Sequence, residues 1–408
     1  THIIHEALRK VFKMKRKKTF KIIAIALIFC FFAVAGVVYF SLTNVPEYNV
    51  KIENEPDNNS YMNTCANVMC NLARVGDKLY YNAANDFFKY GTYEITSDYT
   101  KRIYWKGPAI TSECLDLNRV SNENIFSPYI HNDIVQCYDL NQKHYKEYLK
   151  LPDLNNDNAS LEELFVVGDE LYFSYSELYK GNVIGDTMVV YGFYNLYRQD
   201  KNDTKLILSV DNLDFDYISD LRFYDEYIYF VAGKRTSDKE DASTDLFLCK
   251  YNQNNGKLVY KIPYAPSSDF VEITCLSAVN DKVYGTIVNR SDNGYETVYC
   301  ADLKNGTINT LFKSNAGMVI NSYKDKVFLS VENGKDKGIY SIDTSTDKTT
   351  KIFNDDIELN GLYIVDSKYL YFTDNAYFNL YRITQDGKNL EKVFGWFHYH
   401  VKWSYKSI

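Results

Sequence analysis

The sequence predicts an all-β protein built as a single β-propeller that follows one N-terminal transmembrane helix. Three observations support this: an aromatic-rich composition, a strand motif that recurs along most of the chain, and one long apolar segment near the N-terminus. Among 408 residues there are 38 Tyr and 24 Phe but only 7 Pro. Aromatic residues suit the half-buried surface of a pleated sheet, and the Asn, Asp and Gly between them suit turns.

The recurring unit is a turn-forming pair followed by a short strand of aliphatic and aromatic residues. Gly76–Tyr81 (GDKLYY) and Gly168–Phe173 (GDELYF) are two copies. Successive copies lie 43 to 57 residues apart, with a weaker copy in second place. This is the length that four short antiparallel strands of a propeller blade require. The aliphatic residues that mark the copies are Leu79, Ile125, Leu171, Ile228, Val283, Val327 and Leu370.

A second motif follows within several units, as in Leu196–Arg198 (LYR) and Leu380–Arg382 (LYR), and a turn and another short strand come after it. One four-stranded sheet cannot bury both faces, so the units must stack around an axis. We expect seven blades if the weak copy at Ile125 is a unit and six if it is not, and we favour seven. The strand-like tail Gly395–Trp403 could complete a first blade begun near Val68–Leu72.

These two motifs together resemble a bacterial family of extracytoplasmic propellers of unknown function, which is related to the YWTD propellers of lipoprotein receptors. The resemblance covers roughly residues 65–400. The nearest match to Tyr-Trp-Thr-Asp is Tyr371-Phe-Thr-Asp374, so the match to that motif is imperfect. The resemblance implies a propeller fold and a binding role outside the cytoplasm, and it brings no catalytic residues.

The N-terminal segment predicts a membrane anchor. Residues 22–42 are apolar and uncharged, and about 21 helical residues span a hydrocarbon core of about 30 Å. Eight Lys and Arg precede them in residues 1–21, against Glu6 alone. By the positive-inside rule, residues 1–21 stay in the cytoplasm and the body lies outside the cell membrane. A signal peptide cleaved near Ala33–Ala35 is the alternative.

The remainder divides into a polar linker, residues 43–64, and the propeller, residues 65–408. Residues 1–45 carry a net charge of +7 in a chain of net charge −7, so residues 46–408 carry −14. This acidic body argues against a nucleic-acid partner, because it has no excess of cations to neutralise phosphates.

Asp153, Asn155 and Asp157 are the candidates for a metal site, and we expect no other cofactor. They have the one-three-five oxygen spacing of a calcium loop. The sixth and twelfth positions lack the Gly and Glu of such loops, which favours an ordinary polar turn. His398 and His400 could share one face of a strand and bind a metal with a third group, although packing in an aromatic tail is the simpler role.

Seven of the eight cysteines follow the apolar segment, and an odd number cannot all pair internally. Cys137 and Cys300 take a repeat position where another unit has Ser341. This exchange predicts small core residues rather than a disulfide framework. Cys65 and Cys70 form the best candidate for a bridge.

The sequence favours a non-enzymatic binding or scaffolding module at the cell surface, which would bind an envelope protein, peptide or glycan. The anchor, the linker, the acidic exported body and the lack of a recognised catalytic motif support this hypothesis. A carbohydrate-active hydrolase or lyase is the alternative, and it requires carboxylates that converge in the axial pocket. A sensor is a third hypothesis, but residues 1–21 leave little room for a cytoplasmic output.

Overall fold

The chain forms two compact units, Glu47–Gly395 and, separately, the chain ends Thr1–Pro46 with Trp396–Ile408. The structure is a computed structural model, and it describes residues 29–30, 32, 35, 51–52, 71–83, 91–103, 117, 119–121, 123–126, 134–150, 159–168, 170–177, 182–184, 187–189, 195–200, 203–237, 244–264, 271–289, 295–354, 357, 359–374 and 379–395.

The unit Glu47–Gly395 is a seven-bladed β-propeller, so the preferred blade count is confirmed and the alternative of six is wrong. Blade 1 has the strands β1 (Leu72–Val75), β2 (Lys78–Ala83), β3 (Gly91–Ile95) and β4 (Thr100–Arg102). Blade 2 has β5 (Asn124–Phe126), β6 (Ile134–Asp139) and β7 (His144–Lys150), and the isolated bridge between Val120 and Ile125 lies where its first strand is expected. Blade 3 has β8 (Ala159–Val167), β9 (Glu170–Glu177), the inserted hairpin β10 (Asn182–Ile184) and β11 (Thr187–Val189), then β12 (Asn195–Asp200) and β13 (Asp203–Ser209).

Blades 4 to 7 each have four antiparallel strands in sequence order. The short helix Val210–Leu213 precedes blade 4, which has β14 (Tyr217–Tyr224), β15 (Tyr227–Arg235), β16 (Thr244–Asn252) and β17 (Lys257–Pro263). Blade 5 has β18 (Val271–Val279), β19 (Lys282–Asn289), β20 (Tyr295–Asp302) and β21 (Thr307–Ser314). Blade 6 has β22 (Met318–Tyr323), β23 (Lys326–Val331), β24 (Gly338–Asp343) and β25 (Lys348–Phe353). Blade 7 has β26 (Asn360–Tyr363), β27 (Tyr369–Thr373), β28 (Leu380–Thr384) and β29 (Glu391–Phe394).

All seven predicted markers are buried on the second strand of a blade. The hydrophobic core lies between the blades, because each cluster joins two neighbours. Ile228 of blade 4 packs in one cluster with Phe165 of blade 3, and Val327 of blade 6 packs in another with Tyr284 of blade 5. Similar clusters join blades 1 and 2, 2 and 3, 4 and 5, and 6 and 7. Each sheet therefore buries both of its faces only when it has a blade on either side.

The turn-forming pair of the motif is the hairpin between the first two strands of a blade. Val75 pairs with Lys78 and Val279 with Lys282, which leaves two residues in each turn. The first of these two has a positive φ, 59° at Gly76 and 56° at Asn280. Gly and Asn adopt this conformation at low cost, which explains the composition of the motif.

The residue after each marker is Tyr in five blades. In blades 3, 4 and 5 its hydroxyl group contacts the next blade, whereas Tyr80 and Tyr371 donate within their own blades. Tyr284 of blade 5 donates to Asp347 Oδ1 of blade 6 at 3.1 Å, and Tyr172 of blade 3 donates to Gln253 Oε1 of blade 4 at 2.9 Å. Tyr229 donates to the carbonyl oxygen of Asn280 in blade 5. The aromatic half of the motif therefore supplies both core packing and a polar contact between blades.

The outermost strands are protected edges. The register shifts between the third and fourth strands in blades 2 to 7, and in four of them at the Leu/Ile/Val-Tyr pair of the second motif. The outermost strands β4, β7, β13, β17, β21, β25 and β29 hold 11 Lys and Arg but only 3 Asp and Glu. Bulges and lysines both prevent an edge strand from pairing with another chain.

Blade 7 meets blade 1 through side chains. Arg74 of β1 forms a buried ion pair with Asp366 at 2.9 Å, and Asp366 also accepts a hydrogen bond from Tyr371 at 2.7 Å. The ring of Phe394 lies 5.2 Å from that of Tyr81 and 4.8 Å from that of Tyr93. These contacts close the ring.

The closure of blade 1 by the tail Gly395–Trp403 stays a prediction. Blade 1 has four strands within residues 72–102. Residues 396–403 lie outside the described residues.

The chain ends are described at four positions of the predicted transmembrane segment 22–42. Phe29, Cys30, Phe32 and Ala35 are helical and exposed. Over the residues that the structure describes, no helix is long and apolar enough to cross a membrane. The membrane anchor therefore stays a prediction.

The prediction for the cysteines is confirmed where it can be checked. Cys137, Cys249 and Cys300 are buried and carry free thiols. Burial raises the pKa of Cys137 to about 11 and that of Cys300 to about 12, which agrees with unreactive core residues. Cys65 and Cys70 lie outside the described residues.

We expect Arg74→Met to lower the free energy of unfolding by about 3 kcal/mol, because it leaves the carboxylate of Asp366 buried without its cation. The loss should stay near the low end for such pairs, since Asp366 keeps the hydroxyl of Tyr371 and the backbone N–H groups of Lys368 and Tyr369. Urea unfolding measures it. Lys388→Met, which breaks an exposed pair with Asp386, is the control and should cause no measurable change.

Candidate functional site

The two ends of the propeller differ. Because neighbouring strands alternate in direction, the first-to-second and third-to-fourth connections lie at one end, which we call the turn end. The second-to-third connections and the links between blades lie at the other, which we call the loop end. The turn end has short connections, as between Val75 and Lys78. The connections of the loop end are longer, and residues 178–194 between β9 and β12 include an extra hairpin.

Charged groups at the turn end are engaged in contacts between blades. Lys282 of blade 5 pairs with Asp347 of blade 6 at 2.9 Å, and Lys250 of blade 4 pairs with Asp281 of blade 5 at 2.7 Å. Lys326 of blade 6 donates to the side chain of Gln385 in blade 7. The polar groups at this end stabilise the ring.

A first group of polar residues at the loop end, the lysine cluster, consists of Asp374, Asn379, Lys392 and Gly395. Asn379 donates to Asp374 from its backbone N–H at 3.2 Å and from its side-chain amide. A Cβ at position 395 would overlap Asn379 Oδ1 and Lys392 Cε, so Gly395 makes room for both side chains. Burial lowers the pKa of Lys392, and the nearby charge of Asp374 only partly opposes this. The ammonium group is therefore less well solvated than in water.

A second group, the glutamate cluster, consists of Glu296, Gly317, Met318 and Glu332. Glu296 of blade 5 accepts a hydrogen bond from the N–H of Met318 in blade 6 at 2.8 Å. The N–H of Glu332 donates to the carbonyl oxygen of Gly317, and a Cβ at Gly317 would lie 2.6 Å from a carboxylate oxygen of Glu332. Burial raises the pKa of Glu332. Glu296 and Glu332 thus contact the adjacent residues Met318 and Gly317, and burial destabilises the charged form of Glu332.

A third polar group lies inside the ring, where the innermost strand β14 bulges between Ser219 and Arg222. Tyr217 packs over Gly233, where a Cβ would overlap its ring. Burial, together with Asp220 and Asp216, raises the pKa of Tyr217 to about 12. The neutral form of its hydroxyl group is therefore favoured at physiological pH.

The sequence-predicted metal ligands Asp153, Asn155 and Asp157 lie outside the described residues, as do His398 and His400. Within the described part of the chain, no group of three or more His, Cys, Asp and Glu side chains could hold a metal ion.

Lys392 and Glu332 could not be recognised from the sequence as residues of a site. Each is a single charged residue next to a strand end, and nothing in its immediate sequence distinguishes it from a solvated one. Gly317 and Gly395 are the available signal, because a glycine beside a strand often marks a close approach of another group.

The fold is shared with solved structures of very different activities. Puromycin hydrolase matches with a TM-score of 0.51 at 8% identity, over 86% of this chain and 57% of that one. The oligogalacturonate lyase of Vibrio parahaemolyticus matches with a TM-score of 0.45 at 10% identity, over 76% and 87% of the two chains. A chain of the nidogen/laminin complex matches with a TM-score of 0.32 at 13% identity, over 50% and 75%.

No model of a protein family matches the sequence, and no curated protein matches it. The match to puromycin hydrolase therefore supports the propeller fold and nothing finer. The resemblance to the family of bacterial propellers stays a prediction beyond the fold that it implied.

We expect Glu332→Gln to raise the free energy of unfolding at pH 7, because burial penalises the charged carboxylate in the folded state. The folded state binds the proton more tightly than the unfolded state, so the penalty is present above the raised pKa. It disappears as the pH falls below the ordinary value of 4.5. Urea unfolding between pH 4 and pH 7 measures it. A difference from wild type that is equal at both ends would contradict the assignment; Glu147→Gln, on β7, controls for loss of a carboxylate.

Proposed function

We propose that this protein is a non-enzymatic binding or scaffolding module, which binds an envelope protein, peptide or glycan at its loop end. One observation carries the proposal: the described charged groups with unfavourable burial, Lys392 and Glu332, lie at the loop end. Both cost stability in the free protein, and a ligand of complementary charge or hydrogen bonding would recover that cost. Groups of this kind are concentrated at functional sites.

The proposal places the propeller outside the cell membrane. Residues 22–42 would cross the lipid bilayer, residues 1–21 would stay in the cytoplasm, and residues 43–64 would connect the two parts. The uncharged segment and the basic residues before it support this arrangement. The acidic body, of net charge −14, supports a partner other than nucleic acid.

We expect protease added to intact, cell-wall-free bacterial cells that express the full chain to digest the propeller and to leave an N-terminal epitope tag protected. The positive-inside rule is the reason, since the basic residues hold the N-terminus in the cytoplasm. Immunoblotting for the two ends measures it. Protection of the propeller until the membrane is permeabilised would place the body in the cytoplasm and end this part of the proposal.

We expect binding to depend on the loop end. The full chain would be screened on arrays of envelope glycans and peptides, and any ligand found would be tested against the double variant Lys392→Gln with Glu332→Gln. Its affinity should fall about tenfold or more, since each lost polar contact is worth about 1–2 kcal/mol. Asp325→Asn with Lys326→Gln, at the turn end, is the matched control. Equal loss in both double variants would contradict a loop-end site.

The glutamate cluster favours a carbohydrate-active hydrolase or lyase as a second candidate. Glycoside cleavage needs one protonated and one ionised carboxyl group on the two sides of a bond. Burial raises the pKa of Glu332, and Glu296 accepts a hydrogen bond from Met318, the residue next to Gly317, which Glu332 contacts. Release of reducing ends or unsaturated products from envelope glycans, abolished by Glu332→Gln, would establish this activity in place of the binding role.

A further inference from the structure

The junction of blades 7 and 1 differs from the other six in one respect. At each of the others, the chain itself passes from the last strand of one blade to the first strand of the next, which limits how far the blades can separate. Blade 7 is the last blade of the chain and blade 1 is the first, so within the described residues the chain does not pass directly from one to the other. We call this junction the seam, and contacts between residues that are distant in sequence hold it.

Lys51 and Ile52, which precede the first strand, lie across the seam and contact both blades. On the side of blade 1, Ile52 donates its N–H to Ser97 Oγ at 2.8 Å, and Ser97 Oγ donates to the carbonyl oxygen of Ile52 at 3.4 Å. On the side of blade 7, Arg382 Nη1 donates to the carbonyl oxygen of Lys51 at 3.1 Å. The side chain of Ile52 is 6% exposed.

Arg382 and Ser97, the two residues that bind the segment, are each fixed by contacts that do not involve it. Arg382 is buried, its Nε donates to Glu391 at 2.6 Å, and its guanidinium stacks on the ring of Tyr369 at 4.1 Å. Ser97 lies in a turn that Thr96 Oγ1 organises by accepting from the N–H groups of Asp98 and Tyr99. A fixed site loses little entropy when its partner docks.

We infer that the seam is a binding site for an extended peptide with an aliphatic side chain, and that Lys51–Ile52 of this chain occupies it as a clasp. Ser97 and Arg382 hydrogen-bond the backbone N–H and C=O groups of the clasp, and the side chain of Ile52 is buried. Extended peptides are generally recognised by this combination of backbone hydrogen bonds and a buried side chain. The clasp limits the separation of blades 7 and 1 by non-covalent contacts, as the chain connection limits separation at the other six junctions. It does not depend on the function proposed for the loop end.

The first test compares Ile52→Asn with Ile308→Asn in the full chain in detergent. Ile308 lies on an outermost strand and is 39% exposed, so it controls for the same chemical change at a site without the clasp. We expect amide hydrogen exchange in β1 and β28 to become about tenfold faster in Ile52→Asn, because the seam opens more often. Blades 4 and 5 should keep their protection. Equal acceleration in all blades, or none in β1 and β28, would overturn the proposal.

The second test keeps the fold intact if Ile52→Asn does not fold. Ser97→Ala removes the hydroxyl that holds Ile52, and Ser345→Ala removes a hydroxyl from the corresponding turn of blade 6. We expect faster exchange in β1 and β28 for Ser97→Ala alone.

Addition of the synthetic peptide EYNVKIENEP, residues 47–56, should slow the exchange in Ile52→Asn back towards wild type. A control peptide with Asn in place of Ile should have no effect. Failure of the peptide to slow the exchange at millimolar concentration, with the variant folded, would show that the seam is no peptide site.

Discussion

Closure of the ring is the constraint on which the rest of this structure depends. Each sheet is apolar on both faces and is buried only between two neighbours, so an open ring would expose a face of blade 1 and a face of blade 7 to water. The Arg74–Asp366 pair lies at this junction, with both side chains at 3% exposure or less. A buried ion pair adds little stability beyond that of an apolar pair of similar size, but its two charged groups must be aligned with each other. The main effect of this pair is therefore to fix the position of blade 7 against blade 1.

The repeat solves two further problems with the same few residues. The tyrosine after the marker fills the core with its ring in five blades, and in blades 3, 4 and 5 its hydroxyl also contacts the next blade. Blades 2 and 6 have Phe126 and Phe328 at this position and keep the ring alone. Among the described residues, the outermost strand of each blade pairs on one side only. The lysines on these strands, and the bulges in blades 2 to 7, oppose pairing with other chains. The cationic character of these strands in a protein of net charge −7 fits this role.

Most of the fold could be predicted from the sequence, because blade architecture repeats a local pattern. The markers identified the second strands, including the weak copy at Ile125, since its neighbours on the strand are buried as in the other blades. The closure could not be predicted, because Arg74 and Asp366 are 292 residues apart and neither belongs to a motif. The polar clusters of the loop end could not be predicted for the same reason. The environments of Lys392 and Glu332 are formed by glycines and other residues that come together only in the folded ring.

Folding affects the charged residues at the two ends of the propeller differently. At the turn end, folding stabilises the charged form of Lys282, because its ammonium group pairs with Asp347 of the next blade at 2.9 Å. At the loop end, Lys392 loses hydration on folding, and the charge of Asp374 compensates for only part of this loss. The pKa of Lys392 is therefore lowered. Lys392 has contacts in the fold, with its ammonium group 5.8 Å from the centre of the Tyr381 ring, but these contacts do not restore the hydration that it loses on folding. This contrast with Lys282 is the reason for proposing that a ligand binds at the loop end.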